Sequence, residues 1–146
     1  MVEKQRFYPM VGTIRRQDIH DTPKAILNGN VFVFKQNATL LGMVVLFDKP
    51  SDWDRQLWKN ENLNDGIYLH RLAINREMAG KSLGSEIMQW AEEGIVFNNK
   101  KCIRLDCIED SSALNRFYQN QGYQLKGLVN GFNKYEKALK NDVAFN

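Results

Sequence analysis

The chain has 146 residues, 43% hydrophobic and 25% charged, with 20 Lys and Arg against 17 Asp and Glu for a formal charge of +3. That length suits one domain with one core, read here over residues 1–146, and the weak positive excess carries no basic block that would mark a nucleic-acid binder, although it mildly favours an anionic ligand. The longest apolar run, LLGMVVLF at 40–47, is too short to span a bilayer, and the opening MVEKQRFYPM lacks the apolar core of a signal peptide, so a cytoplasmic protein without a membrane partner is expected.

The elements follow in chain order. FYPMVGTI (7–14) is the one strand-like piece ahead of Asp18. DTPKAILNGN reads as a short helix capped by Thr22, opened by Pro23 and stopped at Asn28-Gly29. VFVFKQ (31–36) and TLLGMVVLFD (39–48) read as strands joined by a hairpin turn at Asn37-Ala38. KPSDWDRQLWKNENLND (49–65) is a polar loop with room for a helical turn, and GIYLHRLAI (66–74) is the next strand. Residues 80–98 form the clearest helix, with Leu83, Ile87, Trp90 and Ala91 on one face. KCIRLDCI (101–108) is a buried-looking strand. SSALNRFYQNQG (111–122) is a helix capped by Ser111 or Ser112 and stopped at Gly122. YQLKGLV and FNKYEKAL close the chain as two strands or a hairpin. Hairpins combined with a crossover predict an α+β or α/β domain with a mixed sheet.

Cys102 and Cys107 fall on opposite faces of one strand, about 16 Å apart at the usual rise, whereas a disulfide needs Cα atoms within about 7 Å. No internal disulfide is expected. With no His or Cys partner at ligand spacing, no zinc site is expected either.

The most informative stretch is LAINREMAGKSLGSEIMQW (72–90), where a strand passes through a glycine-spaced loop into a helix. Helix starts expose unpaired N–H groups and partial positive charge, and glycine lets the backbone approach a ligand closely, so the stretch is suited to a pyrophosphate. The alternative is structural: Gly80 ends a loop and Gly84 permits close packing. The spacing is neither that of the nucleotide-triphosphatase phosphate loop nor G-x-G-x-x-G.

A second constellation, LDCIEDSSALNRFYQNQGY, places Tyr118 on the helix after the next strand. Together with LHRLAINREMAGKSLGSEIMQWAEE, this order of elements resembles the GNAT superfamily of acyl-CoA-dependent N-acetyltransferases, from about Gly66 to Leu139. The resemblance implies a mixed, mostly antiparallel central sheet flanked by helices, with acetyl-CoA as co-substrate, no metal, and an amine as acceptor. It implies that the backbone of Leu72, Ala73 and Ile74 bonds the pantetheine arm as an added strand would. Ala79, Gly80, Lys81, Ser82, Leu83 and Gly84 would then wrap the pyrophosphate. The family pattern is Arg/Gln-x-x-Gly-x-Gly/Ala; here Ala79 replaces the long polar side chain and Ser82 the central glycine. Ser111 stands where the family commonly has an Asn that contacts the cofactor, or it serves only as a helix cap.

The same resemblance makes Tyr118 the group that protonates or hydrogen-bonds the leaving sulfur; the alternative is an aromatic core residue beside Phe117. Asp106, on the preceding strand, and His70, on the 66–74 strand, are candidates for the base. An imidazole suits proton transfer near neutrality. The alternatives are a strand carboxylate paired with Arg104, Arg71 or Lys101, and a half-buried histidine. Trp53, Trp58, Asp52 and Asp54 precede the cofactor strand, and aromatics with carboxylates can hold a cationic amine; otherwise the tryptophans pin the loop to the core. The family's usual leading strand and helix are either abbreviated here or cut off by a late start. A late start leaves an exposed edge strand, which predicts a homodimer or strand exchange. The function expected is acetyl transfer to a primary amine of a small molecule or peptide by direct attack on the thioester. The alternative is a non-catalytic acyl-CoA-binding or sensing domain of the same fold.

Overall fold

The computed structural model describes residues 31–36, 39–75, 82–93, 97 and 99–139. The expected strand at 7–14, helix at 22–28, turn at 37–38 and residues 79–81 lie outside them. The strands are β1 (Val31–Gln36), β2 (Thr39–Phe47), β3 (Gly66–Ile74), β4 (Cys102–Ile108), β5 (Gln124–Val129) and β6 (Phe132–Ala138). They form a sheet in the order β1-β2-β3-β4-β6-β5. Helices α1 (Asp52–Leu57), α2 (Leu83–Glu92) and α3 (Ser112–Asn120), with a 3-10 turn at Leu63–Asp65, occupy the connections. β3 and β4 are parallel, while β1–β2, β4–β6 and β5–β6 are antiparallel. This is the mixed sheet that the order of elements predicts, and the mostly antiparallel arrangement with flanking helices that the family resemblance implies.

Contacts divide the chain into two compact units. One takes the described residues through Leu46 together with Leu69–Ala91. Its centre is β2, where Leu41, Gly42, Met43, Val44, Val45 and Leu46 are buried in succession, the pattern of a strand covered on both faces. α2 buries Leu83, Ile87, Met88 and Ala91, a stripe at helical spacing. The Trp90 ring meets Phe32 at a tilt of 57° and Phe34 edge-on at 85°, both of β1 and both at 5.2 Å between centroids.

The other unit takes Phe47–Tyr68 and the described residues from Glu92 onward. Its core includes Leu57, Trp58, Ile67, Tyr68, Ile103, Leu105, Tyr118, Tyr123 and Tyr135. Side chains alternate along β4, so Cys107 meets Asn115 of α3 while Arg104 and Asp106 face the other side with Tyr68 and Trp53. β5 and β6 are joined at Asn130-Gly131 with φ of 51° and 85°. Two consecutive left-handed residues make a hairpin turn whose twist matches its strands, and Asn-Gly is the pair that adopts it at least cost.

Candidate active site

β3 carries the predicted residues His70, Leu72, Ala73 and Ile74. Its pairs with β4 run from Gly66–Cys102 to Tyr68–Arg104, so Leu72–Ile74 lie beyond that paired run. Arg71 has a φ of 49°. A left-handed non-glycine residue inside a strand breaks the pleat and turns the following residues. The burial alternation of β3 is irregular from His70 onward, with His70, Leu72 and Ala73 half-buried, Arg71 exposed and Ile74 buried. Asn75 then ties the end of β3 to β2, with N donating to Leu41 O at 2.8 Å and Nδ2 to Leu40 O at 2.7 Å.

α2 opens at Leu83, and the Ser82 carbonyl accepts Glu86 N–H at 3.2 Å. Ser82 itself has a φ of 61°. The first-turn N–H groups of any α-helix, here those starting at Leu83 and Gly84, lack intrahelical acceptors.

Tyr118 sits on the buried face of α3, 6% exposed. Its ring lies 5.1 Å from Phe117, 6.1 Å from Tyr123 and 6.2 Å from Tyr135. Among the described residues its hydroxyl has no hydrogen-bond partner. Burial above all, and then the nearby Cys107 and Asp106, hold the phenol well above its ordinary pKa. It therefore stays protonated and able to donate at any physiological pH. Ser111 caps α3, with Oγ accepting Leu114 N–H at 3.2 Å.

Asn115, one turn ahead of Tyr118, locks this helix in place. Its Oδ1 accepts from Tyr135 Oη at 2.6 Å, Asn133 Nδ2 at 2.8 Å and Cys107 Sγ at 3.5 Å. Its Nδ2 donates to the carbonyls of Ser111 at 2.7 Å, Ile108 at 3.2 Å and Glu109 at 3.3 Å. Sequence reading passed over Asn115, because an amide in mid-helix has no motif of its own and its six partners come from three segments: β4, the loop ahead of α3, and β6.

On the opposite face of β4, Asp106 Oδ2 accepts Trp53 Nε1–H at 3.2 Å. Arg104 is 3% exposed; Nε donates to Glu136 Oε2 at 2.8 Å and Nη1 to Asn62 O and Tyr68 Oη, both at 2.9 Å. Its guanidinium lies 5.0 Å from the Trp58 ring centroid, and Lys134 Nζ lies 4.8 Å from the same centroid. The expectation that Trp58 and Asp54 help hold an amine is corrected here. Trp58 is fully buried and already covered by the protein's own cations. Asp54 accepts from Ser51 N and Oγ at 2.9 Å in a capping box. For Trp58 the alternative reading, a tryptophan that pins its loop to the core, is the one that holds.

The sequence profile of the Acetyltransferase (GNAT) family matches residues 3–123. The chain belongs to the GNAT family of acetyltransferases. It is 46% identical over 129 residues to Uncharacterized N-acetyltransferase YesJ of Bacillus subtilis (strain 168), a span covering 88% of this chain and 72% of that one. A GNAT-family acetyltransferase structure from Listeria monocytogenes superposes with a TM-score of 0.73 at 38% identity, over 84% of this chain and 72% of the other. A second similar structure, the putative acetyltransferase yncA of Salmonella typhimurium with its cofactor acetyl-CoA, matches at a TM-score of 0.57 and 15% identity, over 89% and 76% of the two chains, and shows the shared fold. By family this GNAT protein is an N-acetyltransferase. Ser82, which stands where the GNAT pattern has its central glycine, adopts the left-handed backbone that glycine takes most readily. Among the described residues no group of three or more His, Cys, Asp and Glu could hold a metal ion, and no helix is long and apolar enough to cross a membrane.

Proposed function

We propose that this chain transfers the acetyl group of acetyl-CoA to a primary amine of a small molecule or peptide by direct attack of the amine on the thioester. In this reading the backbone of Leu72, Ala73 and Ile74, beyond the β4-paired run, binds the pantetheine arm. Residues 79–84, opening α2, receive the diphosphate on first-turn N–H groups. The amine nitrogen forms the new C–N bond, the C–S bond breaks, and CoA leaves as a thiolate.

The observation that carries the reading is Tyr118, a buried phenol held by α3 with its hydroxyl uncommitted among the described residues. Its raised pKa specifies how it works. A free thiol titrates near ~8.5 and a free phenol near ~10, and burial widens that gap. Full proton transfer from Tyr118 to the thiolate is therefore uphill, and the phenol acts by hydrogen-bonding the sulfur as charge develops on it. The proton that finally neutralises the thiolate comes from the ammonium formed by the attack. Asp106 and His70 are the groups through which that proton would pass. Cytoplasmic location and self-association through a leading edge strand belong to the same reading and rest on the sequence alone.

The test is thiol release from acetyl-CoA over a panel of amines, comparing wild type with Tyr118→Phe. The expected loss in kcat is about 100-fold or more, with acetyl-CoA binding unchanged by calorimetry. Equal rates for the two proteins remove Tyr118 from the mechanism, and no turnover with any amine removes the transferase reading of this chain.

A further inference from the structure

We infer that Asn115 is a positioning residue for acetyl transfer, acting through Tyr118: it sets the rotation of α3 and draws the Tyr135 hydroxyl to itself, so that Tyr118 is the phenol left to meet the thioester sulfur. The inference rests on the reading of Tyr118 as the donor to that sulfur and adds the group that aims it.

The argument begins with what α3 lacks. It has nine residues and buries one of them, Tyr118, with Leu114 and Phe117 half-buried. A helix ordinarily fixes its rotation by an apolar stripe, and a single buried side chain specifies that rotation weakly. Polar bonds supply the rest. Past the C-terminal end, Tyr123 N donates to Tyr118 O at 3.1 Å, and Tyr123 Oη donates to Glu92 Oε2 at 3.0 Å. Lys137 Nζ donates to Glu92 Oε1 at 2.9 Å and to Gln121 O at 2.7 Å. In the first half of the helix, Asn115 is the anchor. Its three donors reach Oδ1 from β4 and β6, and the three carbonyls facing Nδ2 come from the end of β4 and the loop ahead of α3. The two ends of the amide are thus held by opposite chemistry, and turning α3 either way breaks bonds at one of them. Tyr118 is three positions on, a neighbour on the same helix surface, so fixing the amide fixes the direction of the phenol.

The second half of the argument concerns protons. Tyr118, Tyr123 and Tyr135 are all buried, and the Tyr118 ring meets both of the others. A phenol has one proton to donate. Tyr123 gives its proton to Glu92, and Tyr135 gives its proton to Asn115 Oδ1 at 2.6 Å while its oxygen accepts Gln119 Nε2 at 3.1 Å. Among the described residues the Tyr118 hydroxyl alone of the three has no such partner. Without Asn115 Oδ1 the Tyr135 proton becomes a buried donor in need of an acceptor, beside a ring whose oxygen is uncommitted, and an unmet buried donor is costly. Asn115 therefore separates the roles: Tyr135 packs, and Tyr118 reacts.

The test is a double-variant cycle on thiol release from acetyl-CoA, run with the amine of the panel that wild type turns over fastest. Asn115→Ala favours the helix but removes the amide; it is expected to lower kcat about 10- to 100-fold, with the KM and calorimetric Kd of acetyl-CoA changed less than about twofold. Tyr135→Phe keeps the ring against Tyr118 and removes one bond to Asn115, for an expected loss in kcat of about threefold to tenfold. In a Tyr118→Phe background each change is expected to cost less than about twofold more, because residues that act as a unit are not additive. A general loosening of the fold would instead lower kcat by the same factor in both backgrounds. That result, with Tyr118→Phe itself impaired, overturns the positioning role and leaves the reading of Tyr118 standing. An unchanged kcat in Asn115→Ala overturns the inference too; should that variant fail to fold by circular dichroism, an unchanged kcat in Tyr135→Phe does so. A wild-type rate in Tyr118→Phe, or no turnover of any amine by wild type, overturns the reading of Tyr118 and the inference with it.

Discussion

Ser82→Gly is expected to stabilise the protein. Ser82 has a φ of 61° and an exposed side chain, and its hydrogen bond among the described residues, its carbonyl accepting Glu86 N–H at 3.2 Å, belongs to the backbone and survives the change. An L-residue in the left-handed region costs about 1–2 kcal/mol. Glycine removes that cost but frees the unfolded chain, which returns about 0.4–1 kcal/mol. The net gain is about 0.5–1 kcal/mol, a rise of roughly 2–4 °C in Tm per kcal/mol for a chain of this size. Urea denaturation at a fixed slope measures it. Ser82→Ala keeps the strained φ and is the control, expected within about 0.5 kcal/mol of wild type. Asn130, at a φ of 51°, is a residue type that tolerates the left-handed region, so Asn130→Gly gains less than Ser82→Gly. A loss of stability in Ser82→Gly, or an equal gain in Ser82→Ala, would refute the argument that the position is strained in the way a glycine relieves.

Two further outcomes follow from the buried polar groups. Arg104→Met strips Glu136 of its closest ion-pair partner and leaves the Asn62 carbonyl without the donor at 2.9 Å; breaking a buried pair costs about 3–5 kcal/mol, and because Glu136 is 21% exposed and can rehydrate the lower end, about 3 kcal/mol, is expected in the urea midpoint. The thiols of Cys102 and Cys107 are pushed up from 9.0 to about 12 and about 11, in each case chiefly by burial. Below about pH 9 the folded and unfolded chains both keep these protons, whereas above it the unfolded chain releases them first, so stability falls as pH rises through the window from 9.0 to about 12. Comparing urea midpoints of wild type and a Cys102→Ala, Cys107→Ala double variant, the alkaline slope is expected to be shallower in the variant and the neutral-pH slope the same; parallel slopes throughout would contradict it.

Much of the fold was readable along the chain because its signals are local. The apolar run of β2, the helical stripe of Leu83, Ile87 and Ala91, and the serine ahead of α3 each report on residues within a turn or two of themselves. The bounds of β3 at Gly66 and Ile74 match the reading residue for residue. An Asn-Gly pair at 130–131 was an available hairpin signal for β5 and β6 and went unused. The left-handed φ of Arg71 had no signal at all, since arginine has no preference for that region.

Among the described residues the sequence by itself determined most of the elements, and it placed a tyrosine on the helix that follows β4. Periodicity, capping and turn chemistry act over a few residues and need no knowledge of the rest. What tertiary structure alone decided is how the charged and aromatic side chains are shared out. Trp53 and Trp58 are five positions apart, yet one donates to Asp106 and the other is enclosed by Arg104 and Lys134. Their partners lie on strands some fifty to eighty positions away in the chain, brought opposite α1 by the pairing of β4 with β6. Spacing along a sequence carries no information about such neighbours, because the sheet register that selects them is set by burial over the whole domain.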